Sequence, residues 1–323
     1  MDASGDDWAP DASLQTLGAR ATLLHEIRAF FAARGVMEAD VPALSAAAAQ
    51  EPQVLSIACE VAGDARYLHF SPEFGLKRLL AAGAGPVYYL GHVFRDGEVG
   101  RWHNPEFCML EWYRPGWDAE RLLEEIEALL TRLRLPGCRR LDFGAAFRAA
   151  IGVNAHTGSV AALRQAASER GLAPASTPND HASGARAFWL DALVGLVLAP
   201  SLGQDSPCIL FDWPAQMAGL TRLRPGSPPV AERFELYWRG VELGNGGAEC
   251  TDPAQVAASF AADNAARRAA GAAVPAQDHR LLAALRHGLP ACAGVAIGVD
   301  RLLALSLGLD GIEPVLPFSH LRA

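Results

Sequence analysis

Apolar residues recur at helical spacing at Leu14, Leu17, Leu24, Ile27, Phe30 and Phe31, and Gly35 follows where such a helix would stop, so the spacing predicts an amphipathic helix. Residues 36–44 read as extended up to Pro42, and residues 54–61 and 66–70 as short strands closed by Gly63-Asp64. The run of alanines at 46–49 has no evident role. Pro72 is placed to open a helix carrying Leu76, Leu79 and Leu80. Asp118 is placed to cap one carrying Leu122, Leu123, Ile126, Leu129, Leu130 and Leu133, ended by Pro136-Gly137. Residues 141–203 are alanine-rich and helical in pattern around a polar loop at 176–183, and read as an inserted helical region. Their most apolar stretch, 192–203, is only about half the ~20 residues that a membrane span requires, and Pro200 interrupts it, so it reads as a buried helix. Strand patterns return at 208–213 and 233–239, around a proline-rich loop at 224–230. Asp252-Pro253 opens a helix that Gly271 can end, and residues 294–308 read as a strand, Gly298, and a helix from near Asp300. The pattern predicts mixed α and β structure: an acidic, disordered leader over 1–13, then one body over 14–323 with the helical insertion.

The composition removes several function classes. Half of the 323 residues are hydrophobic and a fifth are charged, as in a globular protein. Lys+Arg total 28 against 36 for Asp+Glu, a net charge of -8, and no polybasic block exists to bind nucleic acid by counterion release. The six cysteines are scattered without a C-x-x-C pair, which suggests neither a zinc ribbon nor a disulfide scaffold and fits a reducing cytosol. Asp2, Asp6, Asp7 and Asp11 stand where a secretory signal would need a basic start and an apolar core.

Candidate chemistry lies in three stretches. Residues 94–113 (FRDGEVGRWHNPEFCMLEWY) pack cations, carboxylates, an imidazole and aromatics around a turn. As a strand, 107–113 would put Phe107, Met109, Glu111 and Tyr113 on one face and Cys108, Leu110 and Trp112 in the core. That mixed face suits a ligand with a flat ring and an ammonium group, with Arg95 able to meet an anionic oxygen. A half-buried hairpin with solvated charges is the competing reading. In residues 233–249 (RFELYWRGVELGNGGAE), Glu235 and Tyr237 share one face. Glu235 and Glu242 are seven apart, so an unbroken strand would separate them; a bulge at Gly240 would restore a shared face suited to magnesium on phosphates. Asn245 and Glu249 also share a face, and two exposed glutamates on an edge strand is the competing reading. In residues 294–301 (GVAIGVDR), glycines admit close backbone approach and Arg301 sits in the first turn of a helix.

In that order, Arg95 with Phe107, Glu235 with Glu242, and Gly298 with Arg301, the stretches resemble motifs 2 and 3 of the class II aminoacyl-tRNA synthetases. The lysyl branch is the nearest likeness, through SPEFGLKRLL at 71–80, RWHNPEF at 101–107 and ERFE at 232–235. The likeness runs from about Leu14 to the C-terminus. No room exists before the first helix for an anticodon-binding β-barrel. In this the chain, with MLEWYRP at 109–115 and GVAIGVDR at 294–301, is similar to the short ligases that attach (R)-β-lysine to a lysine of elongation factor P.

The resemblance implies an α+β fold, the class II synthetase catalytic domain with an antiparallel β-sheet flanked by helices, in a cytoplasmic homodimer joined through residues 36–44 and the helix before them. It implies ATP and Mg2+ as cofactors, elongation factor P as partner and lysine or β-lysine as substrate, with tRNA and membranes disfavoured. By the same likeness, Arg95 binds the α-phosphate, Phe107 stacks on adenine, His103 and Asn104 shape the ATP loop, and Arg301 holds the γ-phosphate end. Asp96, Gly97, Glu98, Glu242, Leu243 and Gly298 complete the ATP site, and Glu235 and Glu242 carry magnesium. Ser71 and Pro72 line the substrate site; Glu73 and Glu111 lie near the backbone-type amine, Tyr113 and Glu249 at the side-chain amine, and Asn245 at the carboxylate. Ala296 replaces the glycine usual in lysyl-tRNA synthetases, and its methyl would favour the β-amine isomer. Two departures stand out. Gly97 replaces a glutamate, so an adenine contact is lost or passes to Glu98. Gly247 and Ala248 stand where an aromatic is usual, removing a pocket wall. Acceptors other than elongation factor P, tRNA or another carrier, and a non-catalytic regulatory paralogue are the alternatives.

Overall fold

The computed structural model describes residues 8–172, 177, 180 and 184–323. The start of the leader and most of the polar loop at 176–183 lie outside the described residues. The leader's end is held: the main-chain N–H groups of Asp11 and Ala12 donate to the Pro317 and Leu316 carbonyls, at 2.9 and 3.1 Å. By its contacts the chain forms two units, Met1–Trp117 with Thr131–Leu135 and Thr251–Ala323, and Asp118–Leu130 with Pro136–Cys250.

The first unit opens with α1 (Leu14–Ala32), capped by the Ser13 side chain accepting from the Thr16 N–H at 3.1 Å. Its buried face places Phe31 in a stack on Tyr88, with ring centroids 4.6 Å apart, and edge-on to Trp112 at 5.2 Å. Then come β1 (Met37–Glu38), β2 (Leu44–Ser45), β3 (Ala58–Val61) and β4 (Asp64–Leu68), of which β2, β4 and β3 make a small antiparallel sheet. The strand expected over 54–61 starts only at Ala58, because the Val54 carbonyl is taken by an arginine side chain and Leu55 pairs with Asp96. Helix α2 (Glu73–Ala81) follows Pro72, and β5 (Val87–Phe94) and β6 (Glu106–Pro115) form a hairpin. Helix α3 (Ala119–Arg132) crosses the boundary between the units.

The second unit continues with β7 (Arg139–Asp142), α4 (Phe143–Ile151), α5 (Val160–Glu169) and α6 (Ala185–Leu193), which passes into a π-helical turn, Val194–Leu198. Strands β8 (Cys208–Pro214), β9 (Leu223–Arg224), β10 (Val230–Trp238) and β11 (Val241–Ala248) follow. Its sheet runs β11-β10-β8-β7 with β9 beside β10, and only β7 and β8 are parallel. Phe143, Phe147, Trp189, Leu190, Leu210 and Trp213 centre its core.

The chain returns to the first unit with α7 (Pro253–Ala269), α8 (His279–Gly288), β12 (Cys292–Gly298) and α9 (Val299–Ser306). There β1, β5, β6 and β12 lie side by side, antiparallel apart from β1 with β5. Strand β12 runs straight into α9, and Asp300 in its first turn fastens the helix. One carboxylate oxygen accepts from Arg20 Nη1 of α1 at 2.5 Å, the other from the Cys108 N–H of β6 at 2.8 Å. Both units are antiparallel-dominated sheets with flanking helices, as the α+β expectation has it.

Candidate active site

The loop joining β5 to β6 carries Arg95 and is gripped by a second arginine, Arg301. At its base the Arg95 N–H donates to the Pro105 carbonyl at 2.8 Å. The Arg95 guanidinium lies 5.2 Å from the Phe107 ring centroid and donates to the Phe70 carbonyl at 3.3 Å and to Glu98 Oε1 at 3.4 Å. From α9, Arg301 donates to the Trp102 carbonyl at 3.0 Å and to His103 Nε2 at 2.7 Å. Asn104 is buried and pins the loop, its amide donating to the Glu106 carbonyl at 2.6 Å and its oxygen accepting from the His320 N–H at 3.1 Å. Asp96 donates its N–H to the Leu55 carbonyl at 2.8 Å. Gly97 has φ +72°, a conformation strained for any side chain, and the adjacent Glu98 carboxylate is occupied with Arg95. Guanidinium groups at a fixed loop beside a half-buried ring are suited to an anion joined to a flat base.

On β6 the period of two places Glu111 beside Tyr113, whose hydroxyl donates to Glu111 Oε1 at 2.7 Å. Ser71 Oγ donates to Oε2 at 2.8 Å while accepting from the Glu73 N–H at 3.0 Å, so the turn at Ser71-Pro72 couples the two acids. Glu73 itself accepts from Lys77, one helical turn on, at 2.6 Å. Strand register sets Ala296 opposite Glu111, Gly294 opposite Tyr113 and Gly298 opposite Met109, so the Ala296 methyl shares the Glu111 face. Burial foremost, and then the charge of Glu73, hold the Glu111 carboxyl well above the usual carboxylate range, against the pull of the Tyr113 and Ser71 hydroxyls. The competing picture of a half-buried hairpin does not hold over the core of β6, where every residue from Cys108 to Tyr113 is buried. The floor is therefore enclosed, and a buried carboxylate of this kind is stabilised by a cation.

In the second unit, Glu235, Glu242 and Asn245 lie on one face, but not through a bulge at Gly240. Arg239 and Gly240 are the two-residue turn of the β10–β11 hairpin, both at positive φ. The register pairs Glu235 with Asn245, Leu236 with Gly244 and Tyr237 with Glu242, so Leu243 is the extra residue. This bulge turns Glu242 and Asn245, three apart in sequence, to the same side, and Asn245 Nδ2 donates to Glu242 at 3.4 Å. The side chain of Leu243 is buried, leaving only its main chain to a ligand. Both oxygens of Glu235 are taken, by Arg233 and by the Tyr237 hydroxyl. Burial and then Glu242 push the Glu235 carboxyl up to about 7, with Arg233 opposing. Two repelling carboxylates on one face, short of a full ligand set, fit a magnesium ion whose other ligands are phosphate oxygens and water. Glu242, the less buried, is the better-placed of the pair. Among the described residues no group of three or more His, Cys, Asp or Glu is placed to hold a metal unaided.

Glu249 is buried beside a bridge from its backbone to Thr221. Two residues earlier, the wall expected to be missing at Gly247 has no space in which to stand. A Cβ there would collide with the Glu232 carbonyl oxygen and lie 2.7 Å from Thr221 Cγ2. Gly247→Ala should therefore destabilise the protein by on the order of 1–3 kcal/mol in urea denaturation, without lowering the KM for any amino acid. An unchanged denaturation midpoint would mean that the strands part easily at this point.

Sequence reasoning missed Lys77 and Arg233, and placed Tyr237 beside Glu235 without giving it a role. Each lies two or four residues from the acid it holds, a spacing that strand and helix periods make readable once the acids are suspected. Among the described residues no helix is long and apolar enough to cross a membrane.

The sequence model of the tRNA synthetases class II (D, K and N) matches residues 7–322. Curated relatives cover almost the whole chain. The elongation factor P--(R)-beta-lysine ligase of Vibrio cholerae is 43% identical over 99% of this chain and 100% of its own length. The proteins of the same name from Pseudoalteromonas translucida and Yersinia enterocolitica are 41% and 40% identical, each over 98% of both chains. The family and these relatives together make the chain an ATP-dependent ligase. An arginine-bearing loop fixed to the start of a strand-helix unit, over a strand whose buried acid faces Ala296, is thus found in a chain that belongs to the class II tRNA synthetase family of D, K and N type.

Proposed function

We propose that this ligase activates lysine or (R)-β-lysine with ATP and transfers the acyl group to a lysine side chain of elongation factor P. The observation that carries the reading is Glu111, buried, raised above its ordinary range and set directly opposite Ala296, in the same unit as the Arg95–Phe107 pair. A diamino acid supplies the cation that such a carboxylate lacks, and the relatives' name joins β-lysine to elongation factor P.

The amino-acid carboxylate oxygen attacks the α-phosphorus of ATP, the bond to the β-phosphate oxygen breaks, and pyrophosphate leaves. The amine of the acceptor lysine then attacks the acyl carbon, loses a proton, and AMP departs. No covalent nucleophile from the enzyme is needed. Arg95 offsets the charge growing on the α-phosphate, and Arg301 holds the far end of the triphosphate, so the in-line geometry is fixed before reaction. Phe107 stacks on the adenine, with Asp96, Glu98, His103 and Asn104 shaping the loop around it. Glu73, Glu111 and Tyr113 orient the amino acid against Ala296, with Asn245 and Glu249 on its carboxylate and distal amine. Glu235 and Glu242 would hold magnesium, which would supply Lewis-acid neutralisation of phosphate charge. A homodimer is the expected assembly.

The test is amino-acid-dependent pyrophosphate exchange with L-lysine and (R)-β-lysine, followed by intact-mass measurement of elongation factor P. Exchange with one of the two and a gain of one lysyl unit on the factor are expected. Charging of tRNA instead would move the acceptor, and absence of exchange with either would leave a paralogue that binds without turnover.

A further inference from the structure

We propose that Glu51 is a further substrate-binding residue, the carboxylate that receives an ammonium group of the diamino acid in the first unit. The inference rests on the function proposed above and adds to its site a residue outside the three motif stretches.

The segment around Glu51 is irregular, yet it is held at many points. Arg267 of α7, buried, donates to the carbonyls of Ala49 at 3.3 Å, Gln50 at 3.2 Å, Glu51 at 2.6 Å and Val54 at 2.8 Å. The following residue, Leu55, pairs with Asp96, so the segment is fastened at its far end to the neighbour of Arg95. One guanidinium thus fixes the backbone of the segment through four carbonyls. Glu51 Oε2 is sealed from solvent and accepts no hydrogen bond. Burial, then the charge of Glu73, raise its carboxyl to about 7 against a hydrogen bond from its own backbone N–H; Asp263 adds to the rise and Arg95 opposes it. Glu51 therefore lies within electrostatic reach of the amine pocket and of the loop arginine.

The three acids of this region differ in what they still lack. Glu73 has Lys77, and Glu111 has the hydroxyls of Ser71 and Tyr113. Glu51 alone keeps a buried oxygen with no donor, and leaving such an atom unpaired is costly. The missing group must be a donor, positively charged beside two carboxylates, and small. A primary ammonium meets all three conditions, whereas a phosphate oxygen would be repelled.

The experiment is pyrophosphate exchange by the full chain with L-lysine and (R)-β-lysine, comparing wild type with Glu51→Gln. The expected result is a KM for the preferred amino acid raised about tenfold or more, the loss of one charge-assisted contact, with the KM for ATP and the melting temperature unchanged. An amino-acid KM within twofold of wild type overturns the proposal, as does an equal rise in the KM for ATP, which would mark a damaged loop. Wild type without exchange on either amino acid would sink the proposed function instead. Calorimetric titration of L-lysine into both proteins then decides Glu51: weaker binding by the variant supports it, and equal affinity or no binding to either overturns it.

Discussion

Arg95→Ala should lower amino-acid-dependent pyrophosphate exchange by at least about a hundredfold, the scale on which a preorganised group facing developing charge acts. The fold should survive. The side chain is a quarter exposed, and its contacts are one carbonyl, one carboxylate and a ring, at 3.3 to 5.2 Å. The bond that closes the loop belongs to its main chain and persists in any variant. Arg95→Lys should recover little, because an ammonium cannot present two parallel donors to a phosphate. Exchange at the wild-type rate in the alanine variant, with an unchanged melting curve, would take Arg95 out of the reaction.

The largest stability effect is expected at Asp300, next to the second arginine. Asp300→Ala should cost about 3–5 kcal/mol in urea denaturation, since it strips a buried guanidinium of its partner. Asp300 is 2% exposed and Arg20 9%, and neither has water to fall back on. The same change leaves the Cys108 N–H unsatisfied inside β6. The double variant Arg20→Met with Asp300→Leu should recover much of the loss, because removing both charges also removes the desolvation cost of each. A loss below about 1 kcal/mol in the single variant would mean that water reaches the pair.

Much of the fold was legible: α1 and α3 lie where the apolar spacing predicts, α7 where Asp252-Pro253 and Gly271 bound it, and the β12-to-α9 unit about Gly298. Helix α8 was not anticipated, although Asp278 caps it and Leu281, Leu282 and Leu285 face inward, a signal too short to stand out. In the site, the pairing of Glu111 with Tyr113 follows from a period of two. The shared face of Glu235 and Glu242 was expected for the wrong reason, since a bulge is set by cross-strand register, and nothing in the string marks Leu243 as the extra residue. Arg267 was out of reach altogether: it binds the Glu51 carbonyl from 216 positions away, and no local rule connects an arginine in an alanine-rich helix to an irregular segment so distant.

The two candidate groups of residues also assemble over different distances along the chain. Glu235, Glu242 and Asn245 are joined by a two-residue turn, whereas Arg301 meets His103 across 198 positions and Asp300 meets Cys108 across 192. Closing a longer loop carries a larger entropic cost, and a chain leaves the ribosome from its N-terminus. The acidic hairpin can therefore form during synthesis, while the loop of Arg95 waits for nearly the last residues to be made before its second arginine arrives. A chain terminated before codon 301 would hold the finished acidic hairpin but lack the second arginine that meets the Arg95 loop.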